Sequence, residues 1–461
     1  MKQPQGPQSP TFVQTLQWIF RPMQYMEECA KRYGDIFTMR LGAEFDPLVY
    51  VSNPKALQQI LTNDTTTQFT APGDINKIFE PLTGKLSIFG LSGKQHQRQR
   101  QLMMPPFHGD RMRTYADTIA EVTEKIMTRW QVGKSFCART STQAITLRVI
   151  MQAVFGLYDG PRAQQLEKVL GEMIDEASSP LSVTMIYFPF LQKDLGAWSP
   201  WGKYLRRKAQ VDKLIYDEIQ ERRANFDPSR TDILNLLMAA KDEAGEGMTD
   251  EELHDELMAL LLAGHETTAT SLAWALYWIH KFPEVRSKLL AELDTLGDNP
   301  DSNAILKLPY LNAVCCETLR IYPVAMLTFP RVVQEPVNLA GYDLQPGTVL
   351  LGSIYLTHRR EDLYPEPEKF KPERFLERQF SPYEFLPFGG GARRCIGFAF
   401  AQFEMKMVLA KMLSQFDFEL ADNTEIKAAR RGLVTAPNRS VQLLVKGERK
   451  VKSRTLEAVS S

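Results

Sequence analysis

Residues 387–400 read PFGGGARRCIGFAF, and the chain continues AQFEMKMVLAKML in the rhythm of a helix. Three glycines and two arginines lead to one cysteine, Cys395, placed where the helical pattern begins. Unpaired N–H groups at a helix N-terminus favour a thiolate. Glycines let backbone lie close to something flat or bulky, and Arg393 and Arg394 suit an anion. A cysteine beside a turn can also be an ordinary core residue, so the alternatives have to be tested against the letters. A phosphate-binding loop needs a lysine and a hydroxyl after its glycines, and neither follows. A phosphatase-like cysteine loop needs an arginine six places on, where Ala401 stands. A cysteine protease or acyltransferase needs a histidine base; none lies nearby in sequence, and a distant one stays open. A metal-bound thiolate is the use these residues serve best.

Composition narrows the field. Lys plus Arg and Asp plus Glu number 55 each, so no net field attracts nucleic acid or an acidic substrate. The five cysteines (Cys29, Cys137, Cys315, Cys316, Cys395) are odd in number and lack C-x-x-C spacing, which argues against a disulfide framework or structural zinc and for a reducing compartment. The N-terminus has no signal-peptide core, and nowhere does an apolar run reach the ~18 residues of a membrane span. A soluble, cytoplasmic protein is expected. At 461 residues two or three domains would be usual, yet no repeat, linker or boundary appears. The expectation is one domain over 11–445, with residues 1–10 unordered and 446–461 a flexible tail.

Helical periodicity dominates, as in PMQYMEECAKRYG, YADTIAEVTEKIMTRW, RAQQLEKVLGEMIDEA and YLRRKAQVDKLIYDEIQERRA. Short strand-like pieces are scattered among them: IFTMRLG, PLVYVSN, TVLLGSIY and SVQLLVKG. The fold class is mainly α with small sheets. Thr249 with Glu252 forms a capping box that opens the longest helix, which should stop at Phe282 before Pro283. Some 30 residues at ~1.5 Å each span roughly 45 Å, enough to cross a domain. Its middle is nearly all apolar, hence buried, but carries Gly264, His265, Glu266, Thr267 and Thr268. The Thr267 hydroxyl can bond back to a carbonyl and loosen the turn, and an acid in so apolar a segment needs a partner or a proton-handling role. Further on, Glu317 and Arg320 share a helix face, which taken alone is no more than a surface ion pair, and PERF offers Arg374, which could complete a buried network.

Taken in order, these motifs resemble the cytochromes P450 over nearly the whole chain. The signature F-x-x-G-x-R-x-C-x-G is met by Phe388, Gly391, Arg393, Cys395 and Gly397; AGHETT, E-x-x-R and PERF stand where the family has them. The resemblance implies the P450 fold, a helix-rich prism with small β-sheets around a buried haem b (iron protoporphyrin IX) held by Cys395. Thiolate ligation of that haem is a family property. It implies Phe388 beside the sulfur, Arg393 and Arg331 as propionate partners, and His96 and Arg100 in a propionate-binding helix. Many relatives have tryptophan where His96 stands. Glu317, Arg320 and Arg374 become a structural triad, and Glu266 with Thr267 the proton relay of a monooxygenase acting on O2. Peroxide-dependent relatives typically lack that pair, and a non-catalytic haem sensor or carrier, the rival reading, would have no use for it.

The pocket positions of the family read apolar here: Ile88, Phe89, Leu262, Ala263, Ala325, Met326, Leu327, Leu433 and Val434. They fit a hydrophobic substrate such as a long-chain fatty acid, alkane or terpenoid, as in soluble bacterial and cyanobacterial members. Residues 178–191 resemble the access lid. No room for a reductase follows the cysteine loop, so a monomer is expected to draw electrons, ultimately from NAD(P)H, through a separate ferredoxin or flavodoxin. Lys94, Arg98 and Arg394 are the candidate docking cations.

Overall fold

The computed structural model describes residues 2–449 except 43–46, 108–110, 178, 180, 181, 183, 186, 187 and 298–300. Of the expected lid over 178–191, several residues therefore lie outside the described ones, as does the chain from 450 onward.

Seven helices build the site: α1 (Gly93–Met103), α2 (Ala138–Phe155), α3 (Pro161–Ala177), α4 (Pro200–Ala224), α5 (Asp250–Lys281), α6 (Pro309–Ile321) and α7 (Phe398–Gln415). Helix α5 is the axis. Thr249 Oγ1 accepts from the Glu252 N–H at 3.1 Å and Glu252 Oε2 from the Thr249 N–H at 2.8 Å, closing the capping box. At the other end Phe282 is extended ahead of Pro283, which stops the helix. Along its length Leu257, Leu261, Leu272, Trp274, Ala275 and Ile279 are fully buried. A helix apolar on all sides must be enclosed, and α2, α4, α6 and α7 pack around it.

The sheets lie to one side. One has the order β1-β2-β8-β5-β3, from Ile36–Met39, Leu48–Val51, Val349–Gly352, Arg331–Val333 and Phe69–Thr70. Another has the order β4-β12-β9, from Ser135–Cys137, Gln442–Glu448 and Phe416–Leu420. Two hairpins complete the set, β6-β7 (Val337–Leu339, Tyr342–Leu344) and β10-β11 (Ala428–Arg431, Val434–Pro437).

The ends of the chain differ from expectation. Residues 2–10 are not left without partners: the Thr38 N–H donates to Gln5 O at 3.0 Å, Thr38 Oγ1 to Pro4 O at 2.9 Å, and the Asp343 N–H to Lys2 O at 2.9 Å. The free edges of β1 and of β7 account for this, since an unpaired strand edge recruits backbone. Likewise β12 runs through Glu448, and Arg449 bonds Asp294 at 2.7 Å, so the ordered chain passes 446.

Candidate active site

The glycine loop is shaped by its own backbone. The Cys395 N–H donates to Phe388 O at 3.0 Å, and the chain between them turns through Gly389 at φ +67° and Gly391 at φ +63°. A side chain at Gly391 would also run into the Asp64 carboxylate, which accepts from the Ala392 N–H at 2.9 Å. Helix α7 begins at Phe398 with Gly397 as its cap, so Cys395 sits just upstream of the helix, not on its first turn. Its sulfur is exposed, but to an interior cavity. Burial pushes the thiol's pKa up, and the Gly397 N–H with the charges of Arg100 and Arg394 only partly offsets this. A metal cation at the sulfur would favour its charged form against that burial.

Four cationic or basic side chains surround the loop. Arg393 donates to Ala71 O at 2.7 Å, Ile88 O at 2.7 Å and Leu91 O. Arg331 pairs with Asp64 at 2.7 Å and donates to Phe329 O and Gly390 O. Arg100 donates to Arg394 O at 2.7 Å. His96 is buried among them, its pKa pushed down to about 3 by burial and then by the charges of Arg393, Arg100 and Arg331. Burial and the charges of Arg331 and Arg100 also bring Arg393 down to about 10, with Asp64 and Asp74 opposing. Asp64, paired with Arg331, is the carboxylate in contact with these guanidiniums, and a group with anionic edges would relieve the remaining positive charge. Open space over Gly389 and Gly397 and a bare sulfur complete a slot that fits a flat, carboxylate-bearing iron macrocycle.

The slot opens into a cavity of about 990 Å³. Every predicted pocket residue lines it except Met326. The chain bends through 324–326 before Leu327 bridges to Ser353, and the bend sends the side chains apart: Ala325 and Leu327 face the cavity, while Met326 joins the core with Tyr25 and Met26. Sequence reading missed Phe79 and Phe329, which pack on Phe89 at ring separations of 5.1 and 5.6 Å.

Above the sulfur side runs the middle of α5. Thr267 Oγ1 donates to Ala263 O at 2.6 Å, yet the helix continues unbroken, so the expected loosening of the turn is absent. Gly264 has a packing reason: a Cβ would lie 2.9 Å from the Ile150 side chain on α2. Buried Glu266 has its partners across the helix interface, on α2. Arg139 forms an ion pair with it, and Gln143 Nε2 donates to its Oε2 at 2.9 Å. Arg139 and Gln143 were not found from sequence; their one-turn spacing on α2 was the available signal.

Behind the loop, Arg320 meets Glu317 through two bonds at 2.7 and 2.8 Å, both side chains wholly buried. Arg374 Nε donates to Glu317 Oε1 at 3.1 Å, and the Lys371 N–H to the same oxygen at 2.9 Å. The predicted triad is assembled. His358 adds an unpredicted link, its Nε2 accepting from the Leu386 N–H at 3.0 Å and its carbonyl from Arg320 at 2.8 Å. Burial pushes His358 down to about 3, so the ring is neutral and Nε2 is free to accept. Among the candidate docking cations, Lys94 and Arg394 are exposed, Arg394 lying 4.1 Å from the Phe398 ring centre. Arg98 is instead held by Asp242 at 2.5 Å and Glu252 at 3.0 Å, in the loop and cap before α5.

Residues 4–445 match the family model described as Cytochrome P450. A Mycobacterium tuberculosis protein named "Putative cytochrome P450 135B1" is 35% identical over 460 residues, covering 99% of this chain and 94% of that protein. Another from that organism, "Putative cytochrome P450 138", is 30% identical and covers 94% of each. The solved structure titled "Retinoic acid bound cyanobacterial CYP120A1" superposes with a TM-score of 0.84 at 23% identity, over 97% of this chain and 99% of the other. The cytochrome P450DA heme domain also gives 0.84, at 22% identity, over 97% and 98%. No helix among the described residues is long and apolar enough to cross a membrane.

Proposed function

The chain belongs to the cytochrome P450 family, a class of monooxygenase, and from that premise we propose that it hydroxylates or epoxidises a hydrophobic small molecule such as a long-chain fatty acid, alkane or terpenoid. The observation that carries the reading is that the Cys395 sulfur and the Glu266–Thr267 pair face one apolar cavity. Bound through Cys395, haem would supply the iron at which O2 is split, with His96, Arg100, Arg331 and Arg393 holding its carboxylate edge.

The chain's own residues do the rest. The aromatic and aliphatic walls exclude water and orient an apolar substrate. Thr267 Oγ1 offers a proton from the face of α5, releasing its bond to Ala263 O as it does so. Glu266, oriented by Arg139 and Gln143, passes protons inward to that hydroxyl. A separate ferredoxin- or flavodoxin-type donor, acting on a cytoplasmic monomer, would reach the cysteine side past Lys94 and Arg394. Reversing both charges should slow reduction of the haem-loaded protein in stopped flow.

Reduced protein under carbon monoxide should show the red-shifted Soret band of thiolate ligation. Cys395→Ala should lose that band while keeping its far-ultraviolet circular dichroism. A band unchanged by the substitution would overturn the ligand assignment. Spin-state shifts across fatty acids, terpenes and steroids would then identify the substrate class.

A further inference from the structure

The cavity has a second charged region, at the β10-β11 turn. Arg431 ends β10, opposite Val434 in the hairpin register, and lines the cavity together with Gly432, Leu433 and Val434. The hairpin is fixed in place, since the Thr435 N–H donates to Val324 O at 2.9 Å beside Ala325. Against the turn, the last part of α3 brings up Asp175, whose Oδ1 accepts from Arg431 Nη2 at 3.2 Å.

That pair is half made. A guanidinium binds a carboxylate best through two parallel N–H groups on one edge. On the Nε–Nη2 edge of Arg431, Nη2 reaches Asp175 at the long end of the hydrogen-bond range, while Nε is buried without an acceptor. The Asp175 side chain is 66% exposed, so water competes well for it and little holds it to the arginine. The neighbouring charges are better matched. Glu176 is held by Lys203 at 2.6 Å and also by Arg207. The same cavity, which also holds the Cys395 sulfur, is lined mainly by apolar side chains, with Phe89 stacked on both Phe79 and Phe329.

We propose that Arg431 is a specificity-determining residue, which receives the carboxylate of an elongated apolar acid whose hydrocarbon chain runs inward toward Cys395. The acid takes the Nε–Nη2 edge, Asp175 turns out to solvent, and the unmet Nε–H gains its acceptor. An uncharged chain of the same length fills the same walls but leaves Arg431 with Asp175. This deepens the reading of the cavity as a substrate site and rests on it.

The test is calorimetric titration of the haem-loaded protein with lauric acid and with methyl laurate, which keeps the chain and loses the charge. Wild type should bind the acid more tightly than the ester. Arg431→Gln should raise the Kd of the acid by ~10-fold, as loss of one charge-assisted contact would, and that of the ester by less than about twofold. Asp175→Asn, which removes the competing carboxylate and leaves the hairpin intact, should tighten the acid alone. Equal affinities for acid and ester in wild type, or equal weakening of both by Arg431→Gln, would overturn the assignment. Should Arg431→Gln fail to fold, Asp175→Asn decides: no change in acid binding refutes the proposal. Loss of the red-shifted carbon monoxide band in wild type would instead refute haem-thiolate ligation, so the two failures are distinguishable.

Discussion

Glu266 shows how one residue's chemistry is set by a partner that sequence does not reveal. An unpaired carboxylate in the apolar middle of α5 would be costly, and Arg139 with Gln143 removes that cost while leaving Glu266 on the cavity wall. Removing only its proton-handling capacity should separate relay from packing. Glu266→Gln, which keeps the shape and the Gln143 contact, is expected to lower substrate turnover by ~10²-fold, the lower range for a lost acid–base group. Substrate binding should be unchanged and the solvent isotope effect on turnover should grow. Thr267→Ala should keep oxygen consumption but divert it to hydrogen peroxide, read from the ratio of peroxide to product; an unaltered ratio would remove Thr267 from the relay.

Among the elements, the cysteine loop is held from behind by α6 and the segment that follows it. Glu317 answers two arginines and a backbone N–H at once, wholly out of water. Glu317→Ala would leave Arg320 and Arg374 buried without a counter-charge, so a loss of ~3–5 kcal/mol is expected, seen as a lower urea midpoint. His358→Leu orphans only the Leu386 N–H, and a loss of ~1–3 kcal/mol should follow, with weaker haem retention because Leu386 leads directly into the loop. The triad was legible in the sequence because two of its members lie one helical turn apart and the third falls in a familiar motif. His358 was not, because a neutral ring acting as acceptor for a distant N–H leaves no spacing signature. The same holds for Asp64 with Arg331, 267 residues apart, and Arg139 with Glu266, 127 apart. The quoted helical stretches, the capping box of α5 and four of the strands follow local periodicity and so were legible, whereas short strands such as β3, β6 and β7 carry too few residues to show a period. Met326 was misplaced because a run of three apolar residues does not say which of them points inward.

At the scale of the whole molecule, α4, α5 and the chain leading to Ile88 meet at a single histidine. His254 Nδ1 lies 3.0 Å from Asp255 Oδ1 on its own helix, and Nε2 lies 3.1 Å from Asp212 Oδ1 on α4. Both partners are acceptors, and a neutral imidazole carries only one N–H, so the geometry calls for the imidazolium. Burial pulls its pKa down, but the two carboxylates together outweigh burial and leave it raised. The other groups facing this junction fit a charged ring: Lys208 neutralises Asp212 at 2.8 Å, Tyr216 stacks on the imidazole at 4.3 Å, and Asp255 Oδ2 accepts from the Leu86 N–H at 2.8 Å. A group whose folded pKa is raised gives stability that is complete below its unfolded value near ~6.5 and is lost as pH rises through the folded value. His96, His265 and His358 have lowered values, so they act in the opposite sense and only below that point. Between pH ~6.5 and ~8, below the range in which the buried thiols of Cys29, Cys315 and Cys316, themselves raised by burial, begin to act in the same sense, the pH dependence therefore reports His254. Urea midpoints should fall as pH is raised above ~6.5, with a slope of at most about 1.4 kcal/mol per pH unit for one proton. His254→Phe should flatten that slope, and a slope that survives the substitution would show that the clamp does not set it. Because α4 carries Trp201 and Tyr204 to the cavity wall and the Leu86 segment carries Ile88, loss of this proton loosens two walls of the substrate cavity together. Lauric acid and methyl laurate should accordingly both leave the cavity faster at high pH in wild type, and at a pH-independent rate in His254→Phe.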